Sequence, residues 1–163
     1  MVDVMVFGVA LVAIGFAVVR LLKRVRSDIW LGDLCYMRRW KFMPERWPGF
    51  RVHQILLPDT DRELHDHPFS FVSFVLWGGY WEERPSGLGY GTVRAWHGPG
   101  SLLFRRAEDL HRLDLKRPAW TFVLRGRYRR EWGFLTRDRG WVPWHQFRSV
   151  ADPAPGRAES SFR

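Results

Sequence analysis

The chain has 163 residues, a formal net charge of +9, 46% hydrophobic residues and 16% aromatic ones. That much large apolar surface excludes a chain disordered throughout and suits one domain with an appendage. The positive charge is almost all arginine, with lysine only at positions 23, 41 and 116, and it is spread along the chain. It forms no basic stripe of the kind a nucleic-acid reader presents, so no nucleic-acid partner is expected.

Residues 4–19, VMVFGVALVAIGFAVV, are uncharged and apolar. At about 1.5 Å per residue the run spans about 24 Å, or about 28 Å if Arg20 snorkels and Leu21 and Leu22 join it. A hydrocarbon core is about 30 Å thick. Lys23, Arg24 and Arg26 follow at once. Residues 1–26 therefore read as an N-terminal transmembrane helix with a basic flank. This single-pass anchor in the cell membrane would leave the rest of the chain on the cytoplasmic side. A buried core helix is the competing reading. No positive leading region or small-residue cleavage site marks a signal peptide. Cys35 is the only cysteine, so no intrachain disulfide can form.

Residues 27–49 read as a juxtamembrane connector, a short helix or an edge strand near the head groups. Beyond it the pattern is β. Strands are expected at 50–57, 69–77, 80–84, 92–97, 101–106, 111–115, 119–128, 130–136 and 140–147, broken by Gly- and Pro-containing turns. The segment 69–77, FSFVSFVLW, is almost wholly apolar and is expected to be buried on both faces. Short strands at this spacing indicate an all-β sandwich or barrel over residues 50–149. The tail, 150–163, is rich in Pro, Ala and Ser and reads as disordered.

Within this pattern stands His65-Asp66-His67-Pro68. In extended chain, residues i and i+2 share a face, so His65 and His67 project together and Asp66 points away. Two such imidazoles suit one divalent cation about 2.0–2.2 Å from each nitrogen. A polar corner, with Asp66 bonding backbone amides and no metal, is the competing reading. A third imidazole is available at His111, which opens HRLDL after RAEDL.

His65-x-His67, the apolar strand ending at Gly78, GPGSLLF (98–104) and His111 together resemble the two-motif layout of the cupin superfamily. YMRRW, LHDHPFSFVSFVLWGGYWEE, FRRAEDLHRL, AWTFVLRGRYRREWGF and GWVPWHQF further resemble an uncharacterised cupin family of bacteria and phages. The resemblance implies a double-stranded β-helix, or jelly-roll barrel, with His65, His67 and His111 as metal ligands. The cupin carboxylate would fall near Phe71 or Val72, both apolar, which leaves three neutral imidazoles. Glu82, Glu83, Glu108 and Asp109 are carboxylates that could stand in. Such a donor set is compatible with Fe, Zn, Mn or Ni.

Two functions follow. One is a metal-dependent cupin enzyme, an oxidoreductase of dioxygenase type if the metal is Fe(II), acting on a small molecule. The other is a non-catalytic cupin that binds a small ligand or serves as a scaffold without metal. An isomerase using a histidine base without metal is also compatible with the fold. Arg105, Arg106 and Tyr80 are the expected substrate-binding residues, and His53 an expected partner behind the ligands. His97 and His145 read as structural. No catalytic residue can be assigned, and a homodimer is implied only by the resemblance.

Overall fold

The computed structural model describes residues 14, 15, 17, 18, 20, 21, 25–42, 49–59, 63–87 and 91–147. Among the described residues its elements are twelve strands, β1 (Arg26–Leu31), β2 (Leu34–Lys41), β3 (Gly49–Ile55), β4 (Leu64–His65), β5 (Phe71–Trp77) and β6 (Tyr80–Pro85), then β7 (Thr92–His97), β8 (Leu102–Arg105), β9 (Arg112–Asp114), β10 (Ala119–Arg125), β11 (Gly133–Thr136) and β12 (Gly140–Pro143), followed by a 3-10 helical turn at Trp144–Gln146.

The strands pair antiparallel in three sheets, ordered β1-β2-β3-β10-β5-β8, β12-β11-β4 and β7-β6-β9. The two smaller sheets are joined by an isolated bridge between His65 and His111, each donating its N–H to the other's carbonyl at 2.9 Å. Together they make a second layer opposite the six-stranded sheet. The interior between the layers is centred on Ile55, Val75, Tyr80, Leu103, Leu113 and Ala119.

Alternation along β10 shows how the sequence builds this. Ala119, Thr121, Val123 and Arg125 are buried while Phe122 is exposed, the period-2 pattern of a sheet with one face inside. Between β5 and β6 the chain turns through Gly78 at φ +77°, where a Cβ would lie 2.5 Å from the Pro118 carbonyl oxygen. Only glycine fits there.

Three expectations are corrected. First, most of the apolar run 4–19 lies outside the described residues, and no helix among the described residues is long and apolar enough to cross a membrane. Arg26, expected in the basic flank, opens β1. The transmembrane helix and the cell-membrane localisation drawn from it fall together. Second, residues 26–41, largely within the expected connector, form β1 and β2 of the large sheet, with β1 at its edge, so the edge-strand alternative holds for β1 while the segment belongs to the sheet. Third, β5 is not buried on both faces. Val75 is fully buried, whereas Leu76 and Trp77 are exposed. The apolar run reflects an outer sheet face that is itself apolar, where Phe74 of β5, Phe122 of β10 and Leu102 of β8 lie in one cross-strand row. The expected tail, 150–163, lies outside the described residues.

Candidate metal centre

The HDHP segment is both a clamp and a corner. Asp66 is 1% exposed and points away from its neighbours' cavity. Its carboxylate accepts from the backbone N–H of Gly133 (2.7 Å), from Arg130 (2.7 Å) and from the indole N–H of Trp141 (2.9 Å). The corner is further held by Asp66 N–H donating to the Gly133 carbonyl at 3.1 Å and His67 N–H to that of Ala107 at 3.0 Å. Gly133 admits this packing because a Cβ there would meet the Val142 carbonyl oxygen at 2.1 Å. With Asp66 so anchored, His65 and His67 turn inward on the other side of the chain.

There they meet His111. One ring nitrogen from each of the three histidines lies within 4.8 Å of the others. His67 Nε2 and His111 Nε2 are 2.8 Å apart. His111 Nδ1 is 2.7 Å from Glu82 Oε1. A carboxylate only accepts, so that nitrogen carries the proton and Nε2 of His111 presents its lone pair to the cluster. Burial, then the neighbouring His111, His65 and His53, push the His67 imidazole well below its ordinary pKa, so it is neutral, as a metal ligand must be.

Glu82 is the hub behind the cluster. It is 2% exposed and also accepts from Arg105, with Nε at 2.8 Å, and from His97 Nε2 at 3.0 Å. Burial alone would raise its pKa. The hydrogen bonds from His111 and Arg105 outweigh burial and hold the carboxyl well below the usual range.

The three imidazoles stand in the wall of a cavity of about 170 Å³. It lies between the layers, lined by residues of β1, β2, β3, β5 and β10 on one side and of β4, β6 and β9 on the other. Tyr80 lines it, with its hydroxyl pushed up to about 12 by burial and by the nearby Glu82 charge. His53 lines it from β3, where burial and then the charges of Arg39 and Arg51 lower its pKa.

Comparison with solved structures gives the architecture its place. An Fe(II) form of HppE is 15% identical, with 61% of this chain aligned to 56% of that one at a TM-score of 0.50. The polyketide cyclase RemF from Streptomyces resistomycificus is 13% identical, with 68% aligned to 77% at a TM-score of 0.50. The chain has the cupin fold. An RmlC-like cupin from Shewanella frigidimarina aligns over 64% of this chain and 84% of its own, at 14% identity and a TM-score of 0.48. This chain thus spans little more than half the length of HppE. No family model matches the sequence, and no curated protein does.

Against the cupin layout, the position of the expected carboxylate stays apolar. Phe71 lines the cavity and sets its ring edge-on to His67, with centroids 4.9 Å apart. Glu108 is exposed, and Asp109 accepts from its own loop at the Arg106 N–H, 2.8 Å away. Glu82 meets His111 from the nitrogen facing away from the cluster and so holds a ligand in place. Glu83 pairs with Arg112 at 2.7 Å.

The arginines differ most from expectation. Arg105 is tied to Glu82 and to the Phe104 carbonyl at 2.7 Å, Arg106 is exposed, and neither lines the cavity. The arginines that do line it are Arg39 and Arg51. His145 pairs with Glu131 at 2.8 Å on the surface. Sequence reading had no signal for Arg39 and Arg51 beyond their period-2 placement with Met37 and His53, since β2 was not read as part of the barrel.

Proposed function

We propose that this cupin-fold protein is a metal-dependent enzyme acting on a small molecule, with His65, His67 and His111 as its metal ligands. One observation carries the reading. Three imidazoles converge in the wall of a cavity, one of them hydrogen-bonded through Nδ1 to Glu82 so that its Nε2 faces the cluster. The donor set fits Fe, Zn, Mn or Ni, and Fe(II) in the HppE neighbour favours iron as the first metal to test. A metal held by three neutral ligands would keep its full positive charge and supply Lewis-acid chemistry, or dioxygen chemistry if it is Fe(II).

The chain's own residues do the rest. Glu82 orients His111 and spreads its charge over Arg105 and His97. Asp66 fixes the corner that aims His65 and His67. Phe71 and Trp132 keep the cavity wall beside the imidazoles apolar, which limits water there and strengthens polar contacts with a substrate.

The test is elemental analysis and anaerobic metal titration of the full chain prepared without chelator. About one first-row metal per chain is expected, falling to none in the His65→Ala/His67→Ala/His111→Ala variant. No metal on either measurement sinks the proposal.

A second reading is a metal-free ligand-binding cupin. The 2.8 Å separation of His67 and His111 favours it, since an N–H of His67 donating to His111 would satisfy both rings without a cation. In that case the titration is blank while the cavity still binds a small molecule.

A further inference from the structure

The outer face of the six-stranded sheet is apolar over five strands, in the order β2-β3-β10-β5-β8. Trp40, Val52, Phe122, Phe74 and Leu102, one from each strand, are paired in a single cross-strand row, and paired residues share a face. The next row, from Phe50 of β3 to Phe104 of β8, is apolar as well. Trp120 stacks on Trp40 with ring centroids 5.4 Å apart, and Phe50 meets Phe122 at 5.9 Å. Much of this surface is uncovered. Leu102 is 71% exposed, and Phe104 and Trp77 are each 59% exposed.

From β2 to β8 neither row holds a charged residue. Charge stands at the border, where Arg26 donates to Asp28 at 2.7 Å on β1 and Arg38 donates to Gln54 at 3.3 Å. An aromatic centre with a polar rim is the anatomy of a protein interface. Five strands about 4.8 Å apart and about 20 Å of strand length cover roughly 500 Å² in projection. The relief of the aromatic side chains raises the accessible area toward the roughly 600–1,000 Å² per partner that a stable dimer buries. The net charge of +9 drives copies of the chain apart where their arginines face each other. These two rows carry no such charge, and an oppositely charged partner finds nothing in them to pair with. The surface that matches them in size and chemistry is the same face of a second copy.

We propose that this face is the contact between two copies of the chain, packed sheet on sheet about a two-fold axis. Such an interface is self-complementary, so one apolar patch serves both partners. Two sheets packed face to face lie about 10 Å apart, a gap that Phe74, Phe122, Trp77 and Leu102 of both copies fill. The cavity lies on the other face of this sheet, so the contact leaves the histidine cluster out and stands or falls independently of the metal centre.

The experiment is sedimentation equilibrium of the full chain over a series of concentrations. Twice the chain mass of 19.4 kDa is expected. Leu102→Glu and Phe104→Glu change side chains that are exposed in the single chain. Each should raise the dimer Kd roughly hundredfold or more, because the two copies then bring like charges into a desolvated contact. Arg139→Ala, exposed in the other layer, should leave the Kd unchanged. If circular dichroism shows that the glutamate variants do not fold, Leu102→Ser and Phe104→Ser take their place, with a Kd raised roughly tenfold. A wild type that is monomeric at tens of micromolar overturns the inference. So does a dimer that the Leu102 and Phe104 variants leave intact, which puts the contact elsewhere, the apolar run 4–19 included. A monomer that binds phosphatidylcholine vesicles, and loses that binding in Leu102→Glu, overturns it in favour of a lipid surface.

Discussion

The two walls of the cavity treat charge in opposite ways. Behind the histidine wall two buried carboxylates, Glu82 and Asp66, hold the frame. Glu82 holds His111, Arg105 and His97, and Asp66 holds Gly133, Arg130 and Trp141. On the large-sheet wall Arg39 and Arg51 line the cavity with His53, and no acid lines it with them among the described residues. The first wall uses its acids on positioning and leaves imidazoles facing inward. The second leaves cations facing inward.

Removing an acid from the first wall should have the largest effect. Glu82→Ala leaves His111 and Arg105 without their shared buried partner and should cost about 3–5 kcal/mol in urea unfolding. The milder Glu82→Gln should keep the fold and lower metal affinity roughly 10–100-fold, as loss of a group orienting a ligand does. Metal affinity unchanged in Glu82→Gln would show that His111 does not depend on its backing. Asp66→Ala should come next, at about 2–3 kcal/mol, because the Gly133 N–H and the Arg130 charge lose their acceptor. Its far-ultraviolet dichroism should stay β-like while its unfolding midpoint drops.

The second wall should show itself through pH. Burial, then Arg39 and Arg51, hold His53 below its ordinary 6.5. The unfolded chain takes up a proton near that pH and the folded chain does not, so the stabilisation is complete above it and lost as pH falls below it. The loss is up to about 1.4 kcal/mol per pH unit for one such group. Between pH 7 and pH 5 the urea midpoint of the metal-free chain should fall, and it should fall less in His53→Gln. Equal slopes would place the sensitivity elsewhere, His67 being shifted in the same direction. The smallest effect should be Arg106→Ala. Its exposed side chain belongs to neither wall, so stability should change by less than about 0.5 kcal/mol, with metal binding untouched.

Much of the strand set was legible because its signal is local. Alternation and turn glycines mark β3 and β5 to β12 within a residue or a few of where they lie. β4 was not, being only Leu64 and His65, too short for any period. β1 and β2 were obscured by the apolar run before them, which drew the reading toward a membrane flank, although the pairing of β2 with β3 is set by contacts such as that of Arg38 with Gln54, 16 residues away.

The sequence alone determined that His65 and His67 face the same way, since period 2 is a property of extended backbone, and that no carboxylate stands at Phe71 or Val72. It also placed His111 as the third imidazole, through the order of the two motifs. Tertiary structure decided which charged residues matter. Glu82 reaches His111 across 29 positions of chain, and Arg105 is taken up by the same carboxylate. Arg39 and Arg51 reach the cavity because β2 and β3 join the large sheet. Arginines look alike along a sequence. Their roles depend on burial and on which acid, if any, packs against them, and both are set by strand pairing between distant segments.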